Sequence, residues 1–247
     1  MEYFLETTET IQNGLGFQHY DSLHLSWLFI FIAIVILSIH YYRNASESNR
    51  AKWRKITALL LILDELWKMF FLFAGGNYQF SYLPLHLCSI NIFVIAYHAW
   101  KPNRLLSSIL YTVCIPGALA ALLFPSWTKL PLMNFMHLHS FTVHILLALY
   151  PIVLTAAGEI HPKLSDIPKC LGILMGAAIP IYLINLWLGT NFMFLMEADV
   201  NNPLYLFEQA LGSHLWGFPI IISAILIVMY TPWILHDKRK EKLSHQH

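Results

Sequence analysis

Residues 82–99 read YLPLHLCSINIFVIAYHA, an apolar run without a single Asp, Glu, Lys or Arg. A helix that crosses the hydrocarbon core of a bilayer needs about 20 such residues, and this run is close to that length. Backbone polar groups find no partner in lipid, and the run does not alternate as a barrel strand does, so it predicts a transmembrane helix. It nevertheless carries the imidazole of His86 and the thiol of Cys88, which need an explanation at this depth.

The composition extends this prediction to the whole chain. Hydrophobic residues make up 57% of the 247 residues and charged residues only 12%, too few charges to cover the surface of a soluble protein. The expected surroundings are a lipid bilayer, and the predicted fold class is all-α, a polytopic protein with one seven-helix domain over 1–247. The predicted spans are 24–42, 56–74, 82–99, 105–124, 135–156, 170–189 and 214–235.

The basic residues predict an orientation. Of the 15 Lys and Arg residues, 13 fall in alternate connections and in a basic tail over 236–247. The positive-inside rule therefore places an outer tail, 1–23, outside the cell and the C-terminus in the cytoplasm. Anionic lipid of the inner leaflet explains the basic face, so no nucleic-acid partner is expected.

The second span contains three ionisable side chains, Asp64, Glu65 and Lys68, near the middle of the membrane. Such groups are costly in lipid and usually face protein or water. Either they form an ion pair on their own helix that fixes packing, or they serve as a charge relay or substrate contact. Two acids with one base leave one acid that keeps a proton or has a partner on another helix.

The third and fifth spans combine a thiol with several imidazoles. On one continuous helix, residues two apart point about 200° apart, so a base for Cys88 is expected from another helix rather than from His86. The fifth span opens NFMHLHSFTVH and supplies His137, His139 and His144. These histidines have four alternative roles: interhelical hydrogen bonding, proton transfer, metal binding and contact with a phosphate head group. An unreactive cysteine that packs as a small apolar residue is the alternative for Cys88.

Further polar residues lie towards the outer side of the predicted bundle. Asn91 shares a helix face with the thiol, Asn185 is near the outer end of the sixth span, and His214 opens the seventh. Counted from the outer helix ends, Cys88 and Lys68 each lie about 9 Å deep at 1.5 Å per residue. The polar residues therefore predict one chamber in the outer half of the membrane, although interfacial placement also accounts for some of them.

The motifs LPLHLCS, MHLHS and DELWK, with seven spans, resemble those of YwaF-type bacterial integral membrane proteins over nearly the whole chain. That group is similar to a eukaryotic multi-pass membrane family implicated in acyl transfer onto ether phospholipids through an essential cysteine. The resemblance implies a multi-pass protein of the bacterial plasma membrane, with a cysteine-dependent phospholipid acyltransferase or acyl hydrolase activity. It matches Cys88 to the nucleophile and either His137 or His139 to the base.

The chemistry implied by this resemblance needs no cofactor and no metal. The thiolate attacks an ester of a membrane phospholipid, a lysolipid leaves, and a second lipid hydroxyl, deprotonated by the same histidine, collects the acyl chain. Lys68, Asn91 or Asn185 is the candidate donor to the oxyanion. The residues expected to support the site or bind substrate are Asp64, Glu65, Lys68, His86, Asn91, His144, Asn185 and His214.

Two other functions stay open at the level of sequence. One is a zinc-dependent seven-span lipid hydrolase, although the spans contain no His-x3-His pair. Its candidate ligands are His86, His137, His139, His214, Asp64 and Ser89. The other is a proton-coupled transporter or permease that uses the charges of the second span and His144. Beyond His144 the fifth span continues ILLALYPIVL, which lacks the polar residues that a path across the membrane requires.

Overall fold

The computed structural model describes residues 2–200 and 202–244, with side chains up to residue 235. The described residues form helices and connections without a strand, which confirms the all-α class. The predicted basic tail, 236–247, lies outside the described side chains. The α-helices are α1 (Ser22–Asn44), α2 (Glu47–Ala74), α3 (Leu87–Trp100), α4 (Arg104–Ile109), α5 (Ile115–Leu123), α6 (Phe135–Ala156), α7 (Ile167–Leu188), α8 (Leu204–Leu211) and α9 (Gly217–Ser244).

Six helical segments of the described chain are long and apolar enough to cross a membrane. They are Ser22–Asn44, Phe80–Trp100, Arg104–Leu123, Phe135–Ala156, Leu164–Leu188 and His214–Leu235. They correspond to six of the seven predicted spans. The remaining span, 56–74, lies within the 28-residue helix α2, which carries Asp64, Glu65 and Lys68 in its apolar part. That α2 also crosses the membrane stays a prediction.

Helix α6 forms the centre of the bundle. It packs against α1, α2, α3 and α5, and 67% of its most apolar 18-residue window is buried. The corresponding windows of the segments containing α7 and α9 are only 11% and 6% buried, so their apolar side chains suit lipid contact. The histidines at the start of α6, His137 and His139, are therefore surrounded by protein.

The third predicted span does not begin as a helix. Residues Phe80–Tyr82 form a 3-10 turn, and α3 starts only at Leu87, after the extended N-cap residue His86. Pro84 accounts for this late start because proline disfavours the helical conformation of the residue before it. The structure thus corrects the assumption that His86 and Cys88 lie on opposite faces of one helix.

The fourth span is also irregular. Between α4 and α5, residues Leu110–Cys114 form a π-helical segment that ends just before Pro116. A proline removes one backbone donor, and a π-turn is a common way to absorb the resulting irregularity. The thiol of Cys114 donates to the carbonyl of Leu147 at 3.4 Å, which fixes this segment against α6.

The described part of the predicted outer tail is packed structure. The amide of Asn134, at the start of α6, donates to the carbonyls of Tyr3 and Glu6 at 2.8 and 2.7 Å. Gly16 lies so close to the next connection that a Cβ there would be 1.9 Å from the carbonyl oxygen of Thr128. Only glycine fits at this approach, so the N-terminal segment caps the end of the bundle where α6 begins.

The opposite end of the bundle is held by ion pairs of the basic connections. Arg54 donates to the hydroxyl of Tyr42 and to the carboxylate of Glu159, both at 2.9 Å, and so ties α1 and α2 to the chain after α6. Arg104 pairs with Asp166 at 2.8 Å, between α4 and the start of α7. The basic connections therefore meet at one end, and its assignment to the cytoplasm stays a prediction.

Candidate functional site

The structure brings the thiol of Cys88 against the imidazole of His144. Cys88 lies in the first turn of α3 and His144 in the middle of α6, with Sγ 3.1 Å from Nε2. The other ring nitrogen, Nδ1, is 2.6 Å from the carbonyl oxygen of Ser140 and must donate to it. Nε2 is therefore the acceptor for the S–H proton. A thiol beside an oriented imidazole is the arrangement of a cysteine nucleophile and its general base.

An indole ring covers this imidazole. Trp127, from the connection between α5 and α6, stacks on His144 with ring centroids 5.2 Å apart and planes only 9° apart. Its Nε1 is buried, and no described residue accepts a hydrogen bond from it. The face of an indole stabilises a positive charge, so the stack favours the imidazolium that forms when the thiol loses its proton. Nothing in the local sequence reveals this tertiary partner of Trp127.

His137 has a different set of contacts. Its Nδ1 donates to the carbonyl of Leu130 at 3.0 Å, and its Nε2 accepts from the indole N–H of Trp27 at 3.0 Å. Both ring nitrogens are therefore used to join α1, α6 and the connection before α6. The pairing with Cys88 that the sequence offered for His137 is not present in the structure.

His139, the other expected base, faces α2. Its Nδ1 lies 2.9 Å from Oδ2 of Asp64, and its Nε2 lies 3.9 Å from Oε2 of Glu65. Nζ of Lys68 is 2.5 Å from Oε1 of Glu65, within α2. Of the two alternatives for the extra acid of the second span, the structure shows a partner on another helix, since Asp64 contacts α6.

One polar region contains the Cys88–His144 pair, the group of Asp64, Glu65, Lys68 and His139, and the imidazole of His86. Glu65 and Lys68 lie on α2, His86 is the N-cap residue of α3, and His139 and His144 lie on α6. The region lies where α2, α3 and α6 pack together, so its charged and neutral members share one electrostatic environment.

Three of the expected supporting residues hold the connection between α7 and α8. His86 Nδ1 accepts from the backbone N–H of Met193 at 3.4 Å. Asn185 accepts from the N–H of Phe192 at 2.8 Å and donates to its carbonyl at 3.0 Å. His214 donates to another carbonyl of this connection at 3.0 Å. The connection is thereby fixed over the start of α3, next to the polar region.

Comparison with known families matches residues 15–231 to the TMEM164 family. The chain belongs to the TMEM164 family. Comparison with curated proteins and with solved structures gives no match. The family match supports a multi-pass membrane protein and spans the whole polar region, from Asp64 to His144. It carries neither the YwaF name nor an activity.

Within this TMEM164-family chain, the three oxyanion candidates differ in their contacts. Asn185 uses both ends of its amide on the connection after α7. The amide of Asn91 donates to the carbonyl of Leu87 in its own helix at 2.9 Å, and Lys68 is paired with Glu65. Trp127 stacks on the imidazole that contacts the thiol, and its indole N–H is buried without a hydrogen-bond partner among the described residues.

The ligand set of the zinc hypothesis is not assembled in the described part of this TMEM164-family chain. Its histidines contact different partners, His137 an indole, His139 a carboxylate and His214 a backbone carbonyl. Among the described residues, no group of three or more His, Cys, Asp or Glu side chains is placed to hold a metal ion.

Proposed function

We propose that this TMEM164-family protein is a cysteine-dependent phospholipid acyltransferase, with Cys88 as nucleophile and His144 as general base. The observation that supports this most strongly is the 3.1 Å contact between Sγ and Nε2. A cysteine that only fills space needs no imidazole, and Cys170 illustrates that case because it packs with Ile109 and Val113. The imidazole is oriented from both sides, by a backbone carbonyl and by an indole, as a general base requires.

The proposed first half-reaction begins with transfer of the thiol proton from Cys88 to Nε2 of His144. The thiolate attacks the ester carbonyl of a membrane phospholipid, and a C–S bond replaces the C–O bond. The imidazolium returns its proton to the departing lipid oxygen, so a lysophospholipid leaves and an acyl thioester stays on the enzyme. The free N–H of Trp127 is the candidate donor to the oxyanion, since a buried donor without a partner is otherwise costly.

The proposed setting is a seven-span protein of the bacterial plasma membrane, with its N-terminus outside. Helix α2 is the second span in this proposal. Its packing against α3 and α6 supports this, and so does the neutralisation of its charges by Lys68 and His139. Charged residues in membrane helices normally face the interior and pair in this way. Phospholipid is then the partner that reaches the pocket from the outer half of the bilayer.

Acyl transfer between two lipids in reconstituted vesicles tests this proposal. Vesicles contain phosphatidylglycerol with deuterated acyl chains and unlabelled lysophosphatidylcholine, and mass spectrometry follows deuterated phosphatidylcholine. We expect product with wild type and with Cys170→Ala, the matched cysteine control, and none with Cys88→Ala. Transfer by Cys88→Ala at the wild-type rate would overturn the proposal, and release of only free fatty acid would indicate a hydrolase.

A further inference from the structure

The ionic cluster of Asp64, Glu65, Lys68 and His139 is not used by the Cys88–His144 pair. All four side chains are at most 14% exposed, at the level of the proposed membrane. Burying ion pairs seldom adds stability, since apolar side chains of similar volume usually pack as well or better. An intramembrane cluster of this kind is therefore a candidate for chemistry rather than for packing.

The two nitrogens of His139 are in different situations. Nδ1 lies 2.9 Å from Oδ2 of Asp64, a close contact outside hydrogen-bond geometry, and neither atom has a hydrogen-bond partner among the described residues. The carboxylate beside Nδ1 attracts a proton to that nitrogen, which leaves the lone pair on Nε2. The nearest acid on that side, Glu65, is 3.9 Å away, beyond hydrogen-bond distance, and is already paired with Lys68. Nε2 is therefore a basic atom that is open to an incoming hydroxyl group.

His144 is poorly placed to activate a second substrate. Its Nδ1 is bound to the carbonyl of Ser140, Trp127 covers one face of its ring, and Nε2 points at the sulfur that carries the acyl chain. His139 comes from the same helix, five residues before His144, and α6 packs against both α2 and α3. The second step thus has a separate base within the same polar region.

We propose that His139, oriented by Asp64, is a second acid–base centre that activates the hydroxyl group of the acceptor, a lysophospholipid. This inference rests on the proposed acyl transfer through Cys88. It assigns thioester formation to His144 and the transfer of the acyl chain to His139. Asp64 is a positioning residue, and the Glu65–Lys68 pair keeps the second carboxylate away from Nε2.

The proposed second half-reaction balances as follows. The acceptor hydroxyl gives its proton to Nε2 of His139 while its oxygen forms a C–O bond with the thioester carbonyl carbon. The C–S bond breaks and Cys88 leaves as a thiolate. The proton on His139 then returns to the thiolate, which restores the neutral Cys88–His144 pair, and the product is a diacyl phospholipid.

Separate measurement of the two half-reactions tests this inference. Wild type, His139→Gln, Asp64→Asn and His98→Gln are reconstituted in vesicles of deuterated phosphatidylglycerol, with and without lysophosphatidylcholine. Mass spectrometry of the protein measures acyl-Cys88, and mass spectrometry of the lipids measures phosphatidylcholine. His98 is the matched control because it is a buried histidine bound to Tyr150 and Ser107 outside the polar region.

We expect His139→Gln to form acyl-Cys88 as wild type does but to transfer the chain about 10²-fold more slowly or worse, the usual loss for a general base. Asp64→Asn should show the same pattern more weakly, and His98→Gln should behave as wild type. Acyl-Cys88 formation also reports that the variant is folded. Wild-type transfer by His139→Gln, or its failure to form acyl-Cys88, would overturn the inference. Absence of acyl-Cys88 in wild type would instead overturn the proposed function, and fatty-acid release independent of lysolipid would identify water as the acceptor.

Discussion

Replacement of His144 by Gln tests its role as a base without changing much of its packing in α6. Glutamine keeps a polar side chain of similar reach but cannot take up the thiol proton. In the structure Nε2 is the ring nitrogen in contact with Cys88, at 3.1 Å, while Nδ1 is occupied by Ser140. The substitution therefore removes the acceptor of the S–H proton and leaves the thiol without a base.

The expected size of the effect follows from this geometry. General acid–base catalysis by a positioned side chain contributes about 10²–10⁴-fold, which corresponds to roughly 3–5 kcal/mol in the barrier. The thiol of Cys88 is partly buried against the hydrophobic core, where water is a poor substitute for the imidazole. We therefore expect its reaction with an electrophile to slow by at least about 10²-fold in His144→Gln.

Alkylation by a membrane-permeant maleimide measures this without knowledge of the lipid substrate. The background is Cys114→Ala with Cys170→Ala, so that intact-protein mass spectrometry follows one thiol. His139→Gln is the comparison variant, since His139 contacts α2 rather than the thiol, and its alkylation rate should match wild type. Rapid alkylation in His144→Gln together with slow alkylation in His139→Gln would show that the wrong histidine has been assigned to the thiol.

Three further outcomes are expected. Trp127→Leu should slow alkylation of Cys88 about 2–10-fold, because a stacking energy of about 0.5–1.5 kcal/mol is lost, whereas Trp127→Phe should retain most of the rate. If Trp127→Leu is alkylated as fast as Trp127→Phe, the stack has no role. Glu65→Gln leaves the buried charge of Lys68 without its carboxylate, so the free energy of unfolding in detergent should fall by about 3–5 kcal/mol and recover on addition of Lys68→Met. A hydrogen bond from a backbone N–H of the first turn of α1 holds the pKa of Asp21 below its ordinary value. Its stabilising effect is present above the ordinary Asp pKa and is lost as the pH falls through the lowered one. Asp21→Ala should therefore reduce stability by about 1 kcal/mol at neutral pH, and thermal unfolding should show no difference from wild type in strong acid.

The membrane class and most of the spans could be predicted from the sequence because they depend on local apolar content. Six predicted spans correspond to long apolar helices of the described chain. The charges of α2 could be recognised as candidate site residues for the same local reason. Their partner could not, because Asp64 reaches His139 on α6 only through tertiary packing. Helix periodicity contains no information on which faces of different helices meet.

The contact between Cys88 and His144 could not be predicted from the sequence, for a specific reason. The depth of Cys88 was counted in helical steps from Tyr82, whereas the chain turns through Pro84 and becomes helical only at Leu87. A depth counted in this way misplaces the thiol relative to α6. By that count, His139 lies at a depth suitable for a base. The proline in LPLHLCS was the available signal, since the residue before a proline avoids the helical region.

The contacts of the connections before α6 and after α7 could not be predicted from the sequence either. Trp127 lies in a short connection, and its stacking on His144 brings together two residues 17 positions apart in the chain. The connection after α7 is fixed by His86 and Asn185 before the short helix α8. Such contacts depend on how the helices are arranged, which hydropathy does not report.

The central claim is that Cys88 carries an acyl chain during the reaction, and mass spectrometry of the protein after incubation in phospholipid vesicles tests it most directly. The predicted result is the mass of one acyl chain on the peptide that contains Cys88, removable by neutral hydroxylamine and absent from His144→Gln. Acyl transfer between lipids with Cys88 unmodified, or an acyl chain found only on Cys114 or Cys170, would contradict it.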